Sequence, residues 1–376
     1  MGVLFALIVF NTLSHAHALN TTRLSRLTID GNAVKNAQNQ QVYFKGTDFS
    51  SRNFWFCLDG APAMYSQAQQ DQYRYMSEWN ATAVTLSVSF PPFSDEWTST
   101  KLDNLEAQVE YAAQNGLYSI IDCYESYNIG WIFGDFTEAD WTTWKSAWAD
   151  VATRFAGNPN VIYGIAVEPA GISAETYVTR LRECIDVIRA IDPNVIIICE
   201  GLSVDEWYDD GLNFQRTIGV NRPNIMFDIH KYYFESETRD PSYANIVSEL
   251  ETQGALWCLN NGYPVMSQQC NYDSRNVPNG ETWFRNLLQV FNDYPFTGYT
   301  AWLWGTYQKS GEWLNLCVDW FGHPSDQGLL LRNFLPTVEG ESDPDSDARA
   351  NQFRVFYVKY NVTEKKPNTQ KSGGFS

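Results

Sequence analysis

NVIYGIAVEPAG, residues 160–171, is the stretch on which the fold turns. Ile162 to Val167 form a short run of apolar and β-branched residues with one glycine, the pattern of a parallel strand buried on both faces. Pro169 cannot extend a hydrogen-bonded ladder, so the strand stops there and leaves Glu168 at its C-terminal end. Seven further runs of the same kind flank it: Val42–Lys45, Ala83–Val88, Tyr118–Cys123, Val195–Cys199, Ile225–Ile229, Pro264–Ser267 and Gly298–Leu303. Helical stretches separate them. Leu102–Asn115 is closed by Gly116, a residue suited to the left-handed turn after a helix. Thr137-Glu-Ala-Asp opens a helix reaching Ala156, and Ser173 opens another reaching Ile191. Gly280–Tyr294 and Gln327–Leu335 complete the set. Eight strands alternating with helices predict an α/β fold, a single-domain (β/α)8 TIM barrel over residues 19–338. No glycine-rich phosphate loop follows any strand, which disfavours an open doubly wound sheet. Leu27–Val34 is expected to form a hairpin on the barrel floor.

The flanking segments read differently. Residues 1–18 carry an apolar run, Val3–Phe10, too short to span a bilayer, and end in Ala16-His17-Ala18. They are expected to be a signal peptide, which makes the protein extracellular and secreted. Three glycosylation sequons, beginning at Asn20, Asn80 and Asn361, agree with that. Residues 339–376 open with five acids in nine residues and read as an acidic linker and partly disordered tail. Within it, Phe353–Tyr360 alternates like a strand. Seven cysteines in an oxidising compartment leave at least one thiol free or paired between chains. None has C-x-x-C spacing and only His230 and His323 survive cleavage, so no metal and no cofactor are expected.

Composition narrows the partners. The formal net charge of −18 repels polyanions, which argues against nucleic acid and anionic membranes and leaves neutral glycans open. Aromatic residues reach 15%, with 14 Trp and 21 Tyr, enough to furnish a cleft with flat stacking faces as well as a core.

In this fold the working residues stand at strand C-termini. Glu168 ends the fourth strand, NIMFDIHKYYF (224–234) carries His230 and Tyr232, and GYTAWLWG (298–305) carries Trp302 and Trp304. In this order and spacing, with Trp320–Gly328 before the last helix, these segments resemble glycoside hydrolase family 5, the cellulase and mannanase family of retaining barrel enzymes. The resemblance covers about Leu27 to Leu335 and implies a β-glycan oligo- or polysaccharide as partner. It gives Glu168 the acid/base role, His230 and Tyr232 the cleft-lining pair, and Trp302 the floor of the sugar site. Tyr232 and Trp304 could equally be core aromatics.

The departures from that family are concentrated on the chemistry. Where the resemblance implies a nucleophilic glutamate at the end of strand seven, the chain has Gln269, in Pro264-Val-Met-Ser-Gln-Gln-Cys270. A carboxamide is neutral and poorly nucleophilic. Val167 replaces the asparagine before the acid/base residue and loses its hydrogen bond to a sugar 2-hydroxyl. TLSV (85–88) replaces the strand-two arginine, and Cys123-Tyr-Glu125 the strand-three histidines. Three readings follow: a glycan-binding barrel with impaired retaining hydrolysis, a pseudoenzyme; an active glycosidase with a relocated carboxylate at Glu125, Glu200 or Asp228; or a structural surface scaffold. Asp228, at an inward strand position, also fits a buried hydrogen-bonded carboxylate.

Overall fold

The computed structural model describes residues 24–49, 62–89, 91–92, 97–123, 133–202, 211–234, 238–306 and 313–335. The expected signal peptide, the tail with Phe353–Tyr360, Cys57 and Glu125 lie outside the described residues.

A hairpin of β1 (Thr28–Asp30) and β2 (Ala33–Lys35) precedes the barrel. The barrel strands are β3 (Phe44–Asp48), β4 (Ala83–Val88), β5 (Tyr118–Cys123), β6 (Val161–Gly164), β7 (Ile197–Glu200), β8 (Ile225–Asp228), β10 (Val265–Tyr272) and β11 (Gly298–Ala301). Every neighbouring pair is parallel, and β11 bonds both β10 and β3, which closes the ring. A short extra strand, β9 (Lys231–Tyr233), continues the line of β8 and pairs with the upper half of β10. The helices are α1 (Gln67–Glu78), α2 (Ser99–Gln114), α3 (Glu138–Phe155), α4 (Ala174–Ile191), α5 (Asn213–Thr217), α6 (Tyr243–Thr252), α7 (Ala255–Asn260), α8 (Asn279–Asp293) and α9 (Asp326–Arg332). Their starts follow the sequence signals. Thr137 forms a reciprocal capping box with Asp140, Ser173 caps α4, and Gly116 after α2 takes φ +75°.

The strands alternate inside and outside with period two. Val84, Ile121, Tyr163, Ile197, Phe227 and Val265 face outward into the core shared with helix residues such as Trp144, Trp148, Leu181 and Trp283. Their chain neighbours Ala83, Ile120, Ile162, Ile198, Met226 and Met266 form a separate interior cluster, plugged from below by Leu27 and Val34 of the hairpin. The predicted hairpin therefore seals the floor. Two residues further along each strand, the same inward parity gives Thr85, Asp122, Gly164, Glu200, Asp228 and Gln268, all but the glycine buried polar residues. The interior is thus apolar at the floor and polar toward the mouth.

Several strand limits differ from the expected ones. The first barrel strand begins at Phe44 rather than Val42, because Phe44 is the first residue in register with Gly298. The fourth ends at Gly164, so Val167 and Glu168 lie beyond the ladder rather than at its last rung. The seventh extends to Tyr272 instead of stopping at Ser267, because β9 and β11 supply partners for its upper half.

Candidate active site

Past Gly164 the chain turns across the mouth of the barrel, and Glu168 adopts φ 49°, in the left-handed region that a glutamate rarely occupies. A carboxylate holds it there: the Glu168 amide donates to Glu200 Oε2 at 2.6 Å. The residue is 9% exposed, and its Oε1 lies 2.9 Å from His230 Nδ1. Glu200 Oε1 stands 3.2 Å from the same nitrogen, and Asp228 Oδ2 stands 3.1 Å from His230 Nε2. The imidazole is therefore enclosed by three carboxyl groups from three successive strand ends. Burial works to lower its pKa, but the neighbouring Glu200 and Asp228 charges and the hydrogen bond to Glu168 carry it well above the ordinary histidine value. Burial in turn pushes the Glu200 carboxyl well up, with Asp228, Glu168 and Asp122 adding to the rise and His230 opposing it.

The wall next to β8 comes from β10. Its register against β11 shifts between Ser267 and Cys270, the signature of a bulge, and Gln268 and Gln269 sit in it. Bulges bend a strand and re-aim its side chains. Gln268 turns to Asp228: its amide N–H donates to Oδ1 at 2.6 Å and Nε2 to Oδ2 at 2.9 Å. Gln269 instead accepts from the Tyr232 hydroxyl at 2.9 Å through Oε1, while its buried Nε2 has no hydrogen-bond partner among the described residues. Tyr232 stacks on Phe234 with centroids 5.5 Å apart.

Trp302 follows β11, is half-buried, and packs beside Leu303 and Trp320. Its amide donates to Cys270 O, one residue from Gln269. Trp304 resolves to the core: it is fully buried, donates from Nε1 to Gln72 Oε1 at 3.0 Å, and meets Trp79 edge-on. Val167 is buried next to Glu168. At the end of β4, where an arginine was expected by resemblance, Ser87 donates to Asp48 Oδ2 at 2.8 Å.

Glu168, His230, Tyr232, Gln269 and Trp302 thus belong to one patch. Sequence reasoning missed Asp48, Asp122 and Gln268. The inward parity that places two of them, Ile120 before Asp122 and Met266 before Gln268, is fixed by the structure. Glu200, Asp228 and His230 offer ligand atoms within 4.8 Å of one another, the identities of a small cation site. Both ring nitrogens already face carboxylate oxygens, however, so a metal at either would displace a contact that a proton satisfies. Cys184, Cys199, Cys258, Cys270 and Cys317 are buried free thiols.

A family model described as "Cellulase (glycosyl hydrolase family 5)" matches residues 36–308. Among curated relatives, Endoglucanase E-5 of Thermobifida fusca is 28% identical over 184 residues, covering 46% of this chain and 36% of the relative. Endoglucanase 1 of Robillarda sp. (strain Y-20) is 24% identical over 234 residues, covering 56% of this chain and 60% of the relative. The matches thus span about a third to three fifths of these relatives. In fold, the chain is similar to a Glu-to-Gln variant of the Thermobifida fusca endoglucanase catalytic domain in complex with cellotetraose, with TM-score 0.65 and 21% identity over 84% of this chain and 98% of that one. A beta-glucanase from Saccharophagus degradans gives TM-score 0.67 and 17% identity over 83% and 93%.

Proposed function

The chain belongs to glycosyl hydrolase family 5, and from that premise we propose that it binds β-linked glucan chains at the mouth of its barrel with retaining hydrolysis disabled. The observation that carries this reading is the Tyr232 hydroxyl bonded to a carboxamide, Gln269 Oε1, at 2.9 Å. Retaining hydrolysis needs a carboxyl acid and, about 5–5.5 Å away, an ionised carboxylate that attacks the anomeric carbon. A carboxamide supplies neither the nucleophile nor the negative charge, a loss on the order of several kcal/mol of transition-state stabilisation.

Of the three carboxylates that could replace the nucleophile, Glu125 lies outside the described residues, and the other two are already engaged. Glu200 and Asp228 have no exposed surface and already hold the Glu168 backbone and Gln268. What remains suits a ligand: a half-buried indole at Trp302 beside a carboxyl at Glu168. A flat indole packs well against the apolar face of a pyranose. The family-5 endoglucanases among the relatives, and the cellotetraose in the similar structure, support a β-glucan as the ligand class. The leader-like residues 1–18 support action outside the cell, and no helix of the described residues is long and apolar enough to cross a membrane.

The test is calorimetric titration with cellotetraose and a panel of β-glucans and β-mannans, alongside an assay for released reducing ends. Binding without product release is expected, and Trp302→Ala should weaken binding by about 1–3 kcal/mol, the scale of an interface hot spot. Ready release of sugars by the natural chain would overturn the reading, as would affinity for every glycan that Trp302→Ala leaves unchanged.

A further inference from the structure

Among the described residues, the polar layer inside the barrel gathers five carboxyl side chains. Asp48 from β3, Asp122 from β5, Glu200 from β7 and Asp228 from β8 are completely buried, and Glu168 closes the layer from above. Among the described residues, His230 is the one basic side chain in ion-pair contact with any of them.

We propose that Asp122, Gln268 and Asp228 form a hydrogen-bonded chain that holds His230 as an imidazolium against Glu168, with Asp228 as the positioning residue and Asp122 a neutral acid at the far end. A neutral imidazole donates from one nitrogen only, and its other lone pair would face a carboxylate. Here Nδ1 lies 2.9 Å from Glu168 Oε1 and 3.2 Å from Glu200 Oε1, and Nε2 lies 3.1 Å from Asp228 Oδ2. These distances are close enough for charge pairing although only the Glu168 contact has hydrogen-bond geometry, so a second ring proton offsets the negative charge on both sides. Asp228 is aimed by Gln268, whose backbone and side-chain N–H groups take one oxygen each. That bond fixes the amide so that Gln268 Oε1 points away from Asp228.

Gln268 Oε1 and both Asp122 oxygens are buried without a hydrogen-bond partner. A Cβ built on Gly164 would lie 2.4 Å from Asp122 Oδ1 and 3.0 Å from Gln268 Oε1, so both orphaned oxygens border the space that glycine leaves open. Two bare acceptors there would repel. A proton on Asp122, donated to Gln268 Oε1, satisfies both. The electrostatics agree: burial, with Asp228, Asp48 and Glu168, drives the Asp122 carboxyl well above its ordinary range against the pull of His230.

The link to Glu168 rests on the reading of that residue as the family's acid/base position, but the test needs no sugar. Histidine labelled with nitrogen-15 in the full chain reports ring protonation by NMR, with His230 assigned from its loss in His230→Gln. At pH 7.5, about one pH unit above the ordinary histidine value, both His230 nitrogens should be protonated. In Asp228→Asn the ring should become neutral and titrate near the ordinary value of about 6.5. Asp122→Asn, whose amide can donate to Gln268 Oε1 as the acid does, should keep the imidazolium, and Asp122→Leu should lose it. A neutral His230 in the natural chain overturns the proposal, and so does an imidazolium unmoved by Asp228→Asn. Should Asp228→Asn fail to fold, the natural chain and the Asp122 pair still decide. Cellotetraose affinity on the same samples separates the two readings: an intact imidazolium without sugar binding overturns the glycan reading alone.

Discussion

Gln268 and Gln269 are neighbours in the chain with unlike partners, one bonded to Asp228 and the other to Tyr232. Gln269→Glu places a carboxylate at the Tyr232 hydroxyl and should raise turnover of activated aryl β-glycosides at least about 10-fold, a barrier change of roughly 1.4 kcal/mol. Release of the aryl group measures it, and no gain would mean that the missing charge is not what limits the site. Recovery should be partial, because Val167 and Ser87 remain. Gln269 was singled out in the sequence because the family resemblance implies a glutamate there, and the structure places it inside β10 rather than at its end. Asp122 and Gln268 were not, because a strand buried on both faces reads as continuously apolar, and one polar residue in it does not say which face it takes. The parity became readable only once Ile120 and Met266 were seen to point inward.

At the level of elements, the sequence located β4 and β5 to the residue and the barrel order throughout, since apolar runs bounded by helix caps carry that information. It stopped β10 five residues short, because nothing in Gln268–Tyr272 is apolar enough to advertise a ladder whose partners, β9 and β11, are distant or irregular. The hairpin was foreseen, and its worth can be measured. Leu27 is buried against the lower interior cluster, so Leu27→Ala should cost about 2–5 kcal/mol in urea unfolding with an unchanged m value. A cost below 0.5 kcal/mol, the range of roughly neutral surface changes, would mean the floor is closed by other side chains.

For the whole molecule, the buried acids set the response to pH. Asp122 and Glu200 hold their protons more tightly folded than unfolded, and so does His230. Their contribution is therefore fully present below the unfolded values, about 4 for the acids and 6.5 for the histidine, and is lost as pH rises through the folded ones. Partly exposed carboxylates such as Glu183 and Asp186 are shifted the other way by Lys145 and Arg222, and their smaller, screened contribution is lost in acid. The urea midpoint should therefore decline from mildly acidic toward alkaline pH, and Asp122→Asn should flatten that decline. An alkaline limb of equal slope in both proteins would contradict a buried neutral Asp122. The sealed floor adds a kinetic side to this. With Leu27 and Val34 filling the bottom, the mouth is the remaining route by which water would reach the polar layer, and on the proposed reading a bound sugar would act there as a stopper. The interior protons would then trade with deuterium on the schedule of the ligand's departures, so the exchange clock would read residence time whether or not the bound sugar is cleaved.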